Sequence, residues 1–194
     1  MINLDWLEKT TALISRPAHT YWIAGLLARL AILSDAKLTV EAGIYHGFTT
    51  IIMALAAQEI GGMHIALEVR EDRARRVRRI IRQLKLSEHC RVYTQRSIDA
   101  VPEEAKYGIG IFFHDSDHSL EYVRSEVGLY EPYIVPGGIL AIHDTVAWQG
   151  TGDFIRDLAR GGEWDIVELY GSEGLAICQK RHKPKKPEVT HKRK

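Results

Sequence analysis

The chain has few cysteines and no apolar run long enough to cross a membrane. Cys90 and Cys178 are too few for a disulfide scaffold, and both are expected to lie buried in strands. The longest apolar stretch, from Tyr21 to Leu33, is interrupted by Arg29 and is shorter than the roughly 20 residues of a membrane-spanning helix. The first residues also lack the basic region of a secretory signal. The sequence therefore predicts no membrane partner and a cytoplasmic location.

Net positive charge is confined to the end of the chain. Residues 180–194 hold eight Lys and Arg residues against one Glu, a net +7, which leaves −6 for residues 1–179 because the whole chain carries +1. An acidic body argues against nucleic acid as a partner, since a basic surface supplies the attraction to phosphates. The basic tail over 181–194, predicted to be disordered, leaves that interaction open.

Apolar periodicity alternates between helices and strands along a chain of one-domain size. The spacing predicts N-terminal helices within residues 1–34, over 5–14 and 20–33. The remaining predicted helices cover 48–59, 72–85, 119–133 and 151–160, with a loop and short helix over 97–105. The predicted strands cover 37–42, 63–69, 90–95, 108–114, 139–143, 164–170 and 174–180.

This alternation is typical of an α/β domain with a doubly wound, Rossmann-like sheet. The short connection Gly171-Ser172-Glu173 predicts that the last two strands form a hairpin. We therefore expect a single domain over residues 1–180, with a mostly parallel seven-stranded sheet that ends in an antiparallel hairpin. Pro136-Gly137-Gly138 is expected to be the turn that precedes the fifth strand.

Acidic and glycine residues follow the ends of the predicted parallel strands. Glu41 precedes the loop Gly43-Ile44-Tyr45-His46-Gly47, and Glu68 ends the second strand. Asp115, Asp117 and His118 follow the fourth strand, and His143-Asp144 ends the fifth. Because parallel strands share one carboxyl edge, where ligands bind in such sheets, these residues are expected to meet in one cleft.

The loop after the first strand lacks the dinucleotide fingerprint Gly-x-Gly-x-x-Gly, since Tyr45 fills its middle position. No Lys or Arg lies between residues 38 and 69 to hold a pyrophosphate. The carboxylate of Glu41 would instead repel phosphate and attract a cation such as an amino or sulfonium group. The alternative is that Glu41, Gly43 and Gly47 only turn a strand into a helix.

Glu68 stands 21 positions after Gly47. A carboxylate at the end of the second strand can accept hydrogen bonds from both hydroxyls of a ribose. The alternative is an acid paired with Arg70 or Arg73. The spacing from the glycine loop favours the ribose interpretation.

In this order and spacing, the motifs resemble those of class I S-adenosylmethionine-dependent methyltransferases. Within that class the chain is most similar to small O-methyltransferases related to the cephalosporin-hydroxylase-like and catechol-type groups. The resemblance runs from about Leu38 to Lys180 and is carried by Val40-Glu41-Ala42-Gly43-Ile44-Tyr45-His46-Gly47, Glu68, Phe112-Phe113-His114-Asp115-Ser116-Asp117-His118-Ser119, Pro136-Gly137-Gly138 and Ile142-His143-Asp144-Thr145.

The resemblance implies that Glu41, Gly43 and Gly47 surround the methionine part of S-adenosylmethionine and that Glu68 holds its ribose. Two further candidate cofactor contacts are Tyr45 and Asp115. The position after the third strand, often acidic to recognise adenine, reads Gln95-Arg96-Ser97 here. Ser97 or Asp99 is the candidate substitute.

Asp115 and Asp144 match the acids that bind magnesium in metal-dependent members of this group, whereas Thr145 replaces their amide. A hard cation such as Mg²⁺ would need further oxygen ligands, which Asp117, His143 or water could supply. The alternative is a site without metal, in which one Asp orients His118 or His143. His114 is expected to be a packed structural residue on the opposite face of its strand.

We therefore predict an S-adenosylmethionine-dependent O-methyltransferase of a small hydroxylated acceptor, with His118, His143 and Asp144 as catalytic residues. Three alternatives remain open: an NAD(P)-binding oxidoreductase, an RNA methyltransferase and a non-catalytic nucleoside-binding protein of the same fold. Glu41 disfavours the oxidoreductase, because its carboxylate would repel phosphate. The lack of an Asn/Asp-Pro-Pro-Tyr motif disfavours base N-methylation by an RNA methyltransferase. An apolar helix face with Trp22, Leu26 and Leu30 could support a homodimer.

Overall fold

A computed structural model of the protein describes residues 19–171 and 173–182. The predicted helix over 5–14 and the basic tail from residue 183 onward lie outside the described residues, as does Ser172. The described helices are α1 (His19–Leu33), α2 (Phe48–Ile60), α3 (Glu71–Gln83), α4 (Leu120–Tyr130) and α5 (Gln149–Gly161). The strands are β1 (Leu38–Ala42), β2 (Met63–Glu68), β3 (Cys90–Thr94), β4 (Ile109–His114), β5 (Ile134–His143), β6 (Trp164–Leu169) and β7 (Leu175–Lys180).

The seven strands form one sheet in the order β3-β2-β1-β4-β5-β7-β6. Strands β1 to β5 pair in parallel, and β7 runs antiparallel to both β5 and β6. The predicted mostly parallel sheet with a terminal antiparallel hairpin is therefore confirmed. The carboxyl ends of the five parallel strands consequently lie along one edge, as the sequence predicted.

Helices cover both faces of the sheet and enclose two apolar cores. One core lies under α1, α2 and α3, and the other lies under α4 and α5. β4 contributes to both, and its side chains Ile109, Ile111, Phe112 and Phe113 are all buried. A nearly continuous apolar strand is what a position at the centre of a parallel sheet requires.

The predicted turn at Pro136-Gly137-Gly138 is wrong, because these residues lie inside β5. The β4–β5 register shifts from the Ile109–Ile134 pair to the Ile111–Ile139 pair, so residues 135–138 form a bulge opposite Gly110. Proline cannot donate to the ladder, and Gly137 has a φ of +80°, which favours glycine. The strand bends at this bulge instead of beginning after it.

Helix α1 packs one face on the core, and the side chains named as a possible homodimer surface lie at the edge of that contact. Its fully buried side chains include Ala24, Leu27 and Ala31, whereas Trp22, Leu26 and Leu30 are partly buried against the same core.

Both cysteines are buried in strands, as expected. No helix among the described residues is both long and apolar enough to span a bilayer.

Candidate active site

A cavity of about 670 Å³ opens at the carboxyl edge of the sheet. This size is within the range of small-molecule binding sites. The residues that line it come from the ends of all five parallel strands and from the turn before β7, and they include Glu41, Gly43, Tyr45, Glu68, Ser97, Asp115, Asp117, His118, His143, Asp144 and Glu173. The structure thus brings nearly all the predicted site residues to one cleft, whereas Gly47 and Asp99 do not line it.

Gly43 brings the end of β1 into close contact with the end of β4. Its φ is +87°, and a Cβ added to it would lie 2.1 Å from the backbone oxygen of Asp115. Gly47 has a φ of +81° and begins α2, where a Cβ would lie 2.3 Å from a methyl group of Val77. Both glycines are therefore required by packing within the protein, and Gly43 sets the distance between β1 and Asp115.

Replacing Gly43 by alanine is expected to lower the free energy of unfolding by about 2–5 kcal/mol, the sum of left-handed backbone strain and overpacking. Gly61 is a matched control, because it has a φ of +63° and no atom within 4 Å of an added Cβ. Gly61→Ala should therefore cost only the strain of about 1–2 kcal/mol. Urea unfolding of the two variants measures the difference, and equal losses would contradict the close contact at Gly43.

Glu41 lines the cavity at the end of β1, and it is almost fully buried. Its Oε2 accepts a hydrogen bond from the Thr50 hydroxyl at 2.6 Å and lies 3.2 Å from Nε2 of the buried His64. Nδ1 of that histidine lies 2.8 Å from the Thr39 hydroxyl. Burial raises the pKa of the Glu41 carboxyl, although the bonds from His64 and Thr50 lower it. A cation bound in the cavity would offset this burial.

Glu68 is 4% exposed and lines the cavity at the end of β2. Its Oε1 accepts a hydrogen bond from the backbone N–H of Arg70 at 2.9 Å, and its Oε2 lies 3.9 Å from the Arg73 guanidinium. The alternative that Glu68 pairs with Arg70 or Arg73 is therefore partly correct. Arg70 contributes a backbone hydrogen bond, and Arg73 forms one long ion pair. Two lone-pair sites on each oxygen leave capacity for a ligand hydroxyl.

Ser97 is buried where the chain leaves β3, and its hydroxyl is part of a hydrogen-bonded network. Ser97 donates to the carboxylate of Glu126 on α4, and its Oγ lies 3.1 Å from the Tyr122 hydroxyl. The same carboxylate accepts from the Ser116 hydroxyl at 2.7 Å and contacts Nδ1 of His114. Ser97, Ser116 and Tyr122 line the cavity. The expectation of a packed His114 agrees with its complete burial.

Two histidines and two aspartates meet at the ends of β4 and β5. Nδ1 of His143 lies 2.9 Å from Oδ1 of Asp115, and Nε2 of His118 lies 2.9 Å from Oδ2 of Asp144. Nε2 of His143 is buried and has no hydrogen-bond partner among the described residues, the nearest carboxylate oxygen of Glu173 being 3.7 Å away. Each histidine is therefore paired with a carboxylate from the neighbouring strand end.

The protonation of this cluster follows from its carboxylates. Burial lowers the pKa of His118, but Asp115 and Asp144 outweigh burial and raise it to about 9. The pKa of His143 is also raised, because Asp115 outweighs the effect of burial. Desolvation raises the pKa of Asp115, yet the bonds from His118 and His143 hold it below its usual range. His118 is consequently a cation at neutral pH.

The backbone of Asp144 is held in an unusual conformation. Its φ is +61°, a left-handed value that aspartate tolerates better than most residues. Its N–H donates to the Gly174 carbonyl at 2.9 Å, and its own carbonyl accepts from the Thr151 hydroxyl at 2.7 Å and the Trp148 N–H at 3.0 Å. Backbone strain that is held by several hydrogen bonds is common at functional sites.

An exposed aromatic ring borders the cluster. The Trp148 ring stacks on the His118 ring with 5.3 Å between centroids and 14° between planes, although Trp148 is 55% exposed. A second, open cavity lies beside it, lined by residues that include His118, Trp148 and Asp153. Trp148, just before α5, thus lies next to the Asp/His cluster.

Several site residues were not predicted. They lie inside helices or strands, where no sequence motif marks a polar residue as part of a site: His64, Thr50, Glu126 and Tyr122. One signal was available, because Glu126 is a charged residue on the apolar side of the predicted helix over 119–133, one turn after Tyr122. A charged residue that faces a core is buried only with partners.

The donor atoms around Asp144 fit a divalent cation. Ligand atoms of Asp115, His118 and Asp144 lie within 4.8 Å of one another, as do those of His143, Asp144 and Glu173. Such mixed carboxylate and imidazole sets suit divalent cations. Asp117, a predicted ligand, instead accepts hydrogen bonds from the N–H and hydroxyl of Ser119 and belongs to neither group.

The family model described as "Methyltransferase domain" matches residues 40–145, more than half of the chain. This range covers the strand ends from Glu41 to Asp144. No curated protein is significantly similar to the chain.

Solved structures of methyltransferases share the fold. A Staphylococcus aureus protein provisionally named a caffeoyl-CoA O-methyltransferase has a TM-score of 0.77 and 13% identity, with 93% of each chain covered. The O-methyltransferase from Bacillus cereus in complex with SAH has a TM-score of 0.69 and 20% identity, covering 91% of this chain and 89% of its own. TomG, an O-methyltransferase from Streptomyces achromogenes solved with SAM, has a TM-score of 0.70 and 15% identity, covering 94% and 100%.

Proposed function

This chain belongs to the family of methyltransferase domains, and we propose that it transfers a methyl group from S-adenosylmethionine to a hydroxyl oxygen of a small acceptor. The observation that carries the proposal is that one cavity is lined by acidic side chains from successive strand ends, from Glu68 through Glu41 and Asp115 to Asp144. An acidic rim suits a sulfonium cation and disfavours the pyrophosphate of a dinucleotide.

The side chains of the cavity divide it into two regions. Glu68 accepts hydrogen bonds from the ribose hydroxyls, and Ser97 faces the base. Glu41 and Asp115, one strand apart in the sheet, supply the negative charge that attracts the sulfonium and amino groups. The Asp/His cluster at the ends of β4 and β5 then receives the acceptor beside Trp148.

Methyl transfer requires alignment of the acceptor oxygen and loss of its proton. When bound, S-adenosylmethionine supplies an electrophilic methyl carbon, whose bond to sulfur breaks as the bond to the acceptor oxygen forms. His143 takes the acceptor proton on Nε2, which no other group in the described part of the chain bonds, while Asp115 holds its Nδ1. His118 remains protonated at neutral pH and neutralises Asp144.

A divalent cation is the second way to ionise the acceptor. Asp115, Asp144 and His118 would hold it, and a bound cation would lower the pKa of a coordinated hydroxyl. The ion pairs of both aspartates with histidines favour the histidine route, since these pairs already satisfy the carboxylates.

Removal of divalent ions separates the two routes. After EDTA treatment we expect kcat to stay within about threefold of its original value, because proton transfer to His143 needs no metal. A thermal shift with Mg²⁺ or Mn²⁺ gives a readout independent of turnover. Loss of activity that Mg²⁺ or Mn²⁺ restores, with a metal-dependent stabilisation absent in Asp115→Asn, would contradict the histidine route.

The proposed reaction is tested by incubating the protein with S-adenosylmethionine and a panel of acceptors, including catechol, caffeoyl-CoA and a monohydroxylated phenol. Mass spectrometry should detect an added methyl group and release of S-adenosylhomocysteine. Calorimetric titrations with S-adenosylhomocysteine and with NADH test the oxidoreductase alternative. Binding of NADH in place of the adenosyl ligand would overturn the proposal, and binding without turnover of any acceptor would favour a non-catalytic protein.

A further inference from the structure

We propose that Glu126 is a positioning residue that makes the site selective for a base with an exocyclic amino group. It does so by fixing the Ser97 hydroxyl as a hydrogen-bond acceptor toward the cavity. This inference rests on the proposed function, since it concerns the base of the same adenosyl ligand. Glu126 itself does not line the cavity and acts only through Ser97 and Ser116.

The Glu126 carboxylate is completely buried, and three groups converge on it. Ser97 and Ser116 donate their hydroxyl protons to Oε1, and Nδ1 of His114 contacts Oε2. Nε2 of His114 is buried without a hydrogen-bond partner within residues 19–171 and 173–182, so the proton of a neutral ring is best placed on Nδ1, which contacts Glu126. Three donors on one carboxylate match an ionised acid, which only accepts hydrogen bonds.

The direction of these bonds determines what the serine hydroxyl can offer a ligand. A hydroxyl has one proton and two lone pairs, and the Ser97 proton is committed to Glu126. The Tyr122 hydroxyl, 3.1 Å away, must then donate to Ser97 and occupies one lone pair. The remaining lone pair can accept a hydrogen bond but cannot provide one. Ser116 is oriented in the same way by its 2.7 Å bond.

An adenine base presents an amino group that donates, whereas a 6-oxo purine presents an oxygen that only accepts. A Ser97 hydroxyl that can only accept a hydrogen bond therefore matches the amino group of adenine. The oxygen of a 6-oxo base would face a lone pair of the same hydroxyl and could form no hydrogen bond with it. Buried polar sites discriminate strongly against ligands that leave their groups unpaired. The acid missing after β3 is thus replaced by an acid on α4 that acts through a serine.

The test compares S-adenosylhomocysteine with its 6-oxo analogue, S-inosylhomocysteine, by calorimetry. The natural protein should prefer the adenosyl ligand by at least about tenfold, the effect of one matched hydrogen bond. In Glu126→Gln the side-chain amide can donate to Ser97, whose proton is then free to point at the base. The preference should fall to less than about threefold.

Two further variants keep the test decisive if Glu126→Gln does not fold. Ser97→Ala should also abolish the preference, because it removes the hydroxyl itself. Ser125→Ala is the matched control, since Ser125 lies on the same helix, is exposed and bonds only to the Glu121 carbonyl among the described contacts. It should keep the natural preference.

Two results would overturn the inference alone. The first is equal affinity of the natural protein for both ligands, and the second is an unchanged preference in Glu126→Gln or Ser97→Ala. A purely structural role of Glu126 would lower thermal stability without changing the preference. Failure of the natural protein to bind S-adenosylhomocysteine at all would overturn the proposed function and this inference together.

Discussion

Replacing His143 by glutamine is expected to lower kcat for methyl transfer by about 10²–10⁴-fold, the usual contribution of a general base. His143 is held by Asp115 through Nδ1, and the described residues offer its Nε2 no hydrogen-bond partner. Glutamine is of similar length but has no nitrogen that accepts a proton at neutral pH. The rate of S-adenosylhomocysteine release, with the acceptor that the natural protein methylates best, measures the loss.

This variant should lose kcat but keep its affinity for S-adenosylhomocysteine. His143 ends β5, whereas Glu68 and Ser97 end the strands on the other side of β4, so affinity for S-adenosylhomocysteine should change by less than about threefold. His89→Gln is the matched control, because His89 lies outside the cavity and contacts the Gly62 carbonyl. A loss of kcat below about tenfold, or an equal loss in binding, would show that His143 is not the base.

Glu68→Gln is expected to weaken binding of S-adenosylhomocysteine by about 10- to 100-fold, because a hydrogen bond to a charged group contributes about 1.5–3 kcal/mol. Glu68 is almost fully buried at the cavity, so the interaction is little screened by water. Calorimetric titration measures the loss. Glu59→Gln provides the control, since Glu59 is exposed on α2 and does not line the cavity.

The ribose contact can be isolated by a second comparison. In the natural protein, the 2′-deoxy analogue of S-adenosylhomocysteine should bind about tenfold more weakly, because a hydroxyl bonded to Glu68 is absent. In Glu68→Gln, that difference should nearly vanish, since the two changes remove the same interaction. Additive losses would mean that Glu68 contacts Arg70 and Arg73 but no ribose.

The sheet and the order of its elements were predictable because the spacing of apolar residues in the sequence distinguishes helices from strands. The alternation of apolar patterns predicted the order of helices and strands, and the Gly171–Glu173 connection predicted the terminal hairpin, both confirmed. The bulge at residues 135–138 was missed, because proline and glycine mark both turns and bulges in a sequence. Only the pairing with β4 distinguishes the two.

The sequence predicted the site residues that lie at the ends of strands. It did not predict those that reach the site through the packing of helices and strands. Asp115 and Asp144 come together because parallel strands share an edge. The partners of Glu41 and Ser97 could not be predicted, since His64 lies near the start of β2 and Glu126 lies within α4. Contacts of this kind depend on how helices pack on the sheet, which one sequence does not specify.

The most direct test of the central claim is a crystal structure of the protein saturated with S-adenosylhomocysteine. We expect one ligand along the carboxyl edge of the sheet, with its ribose hydroxyls bonded to Glu68, its base beside Ser97 and its sulfur between Glu41 and Asp115. A ligand bound elsewhere, or an empty rim at saturating ligand, would show that this edge is not the S-adenosylmethionine site.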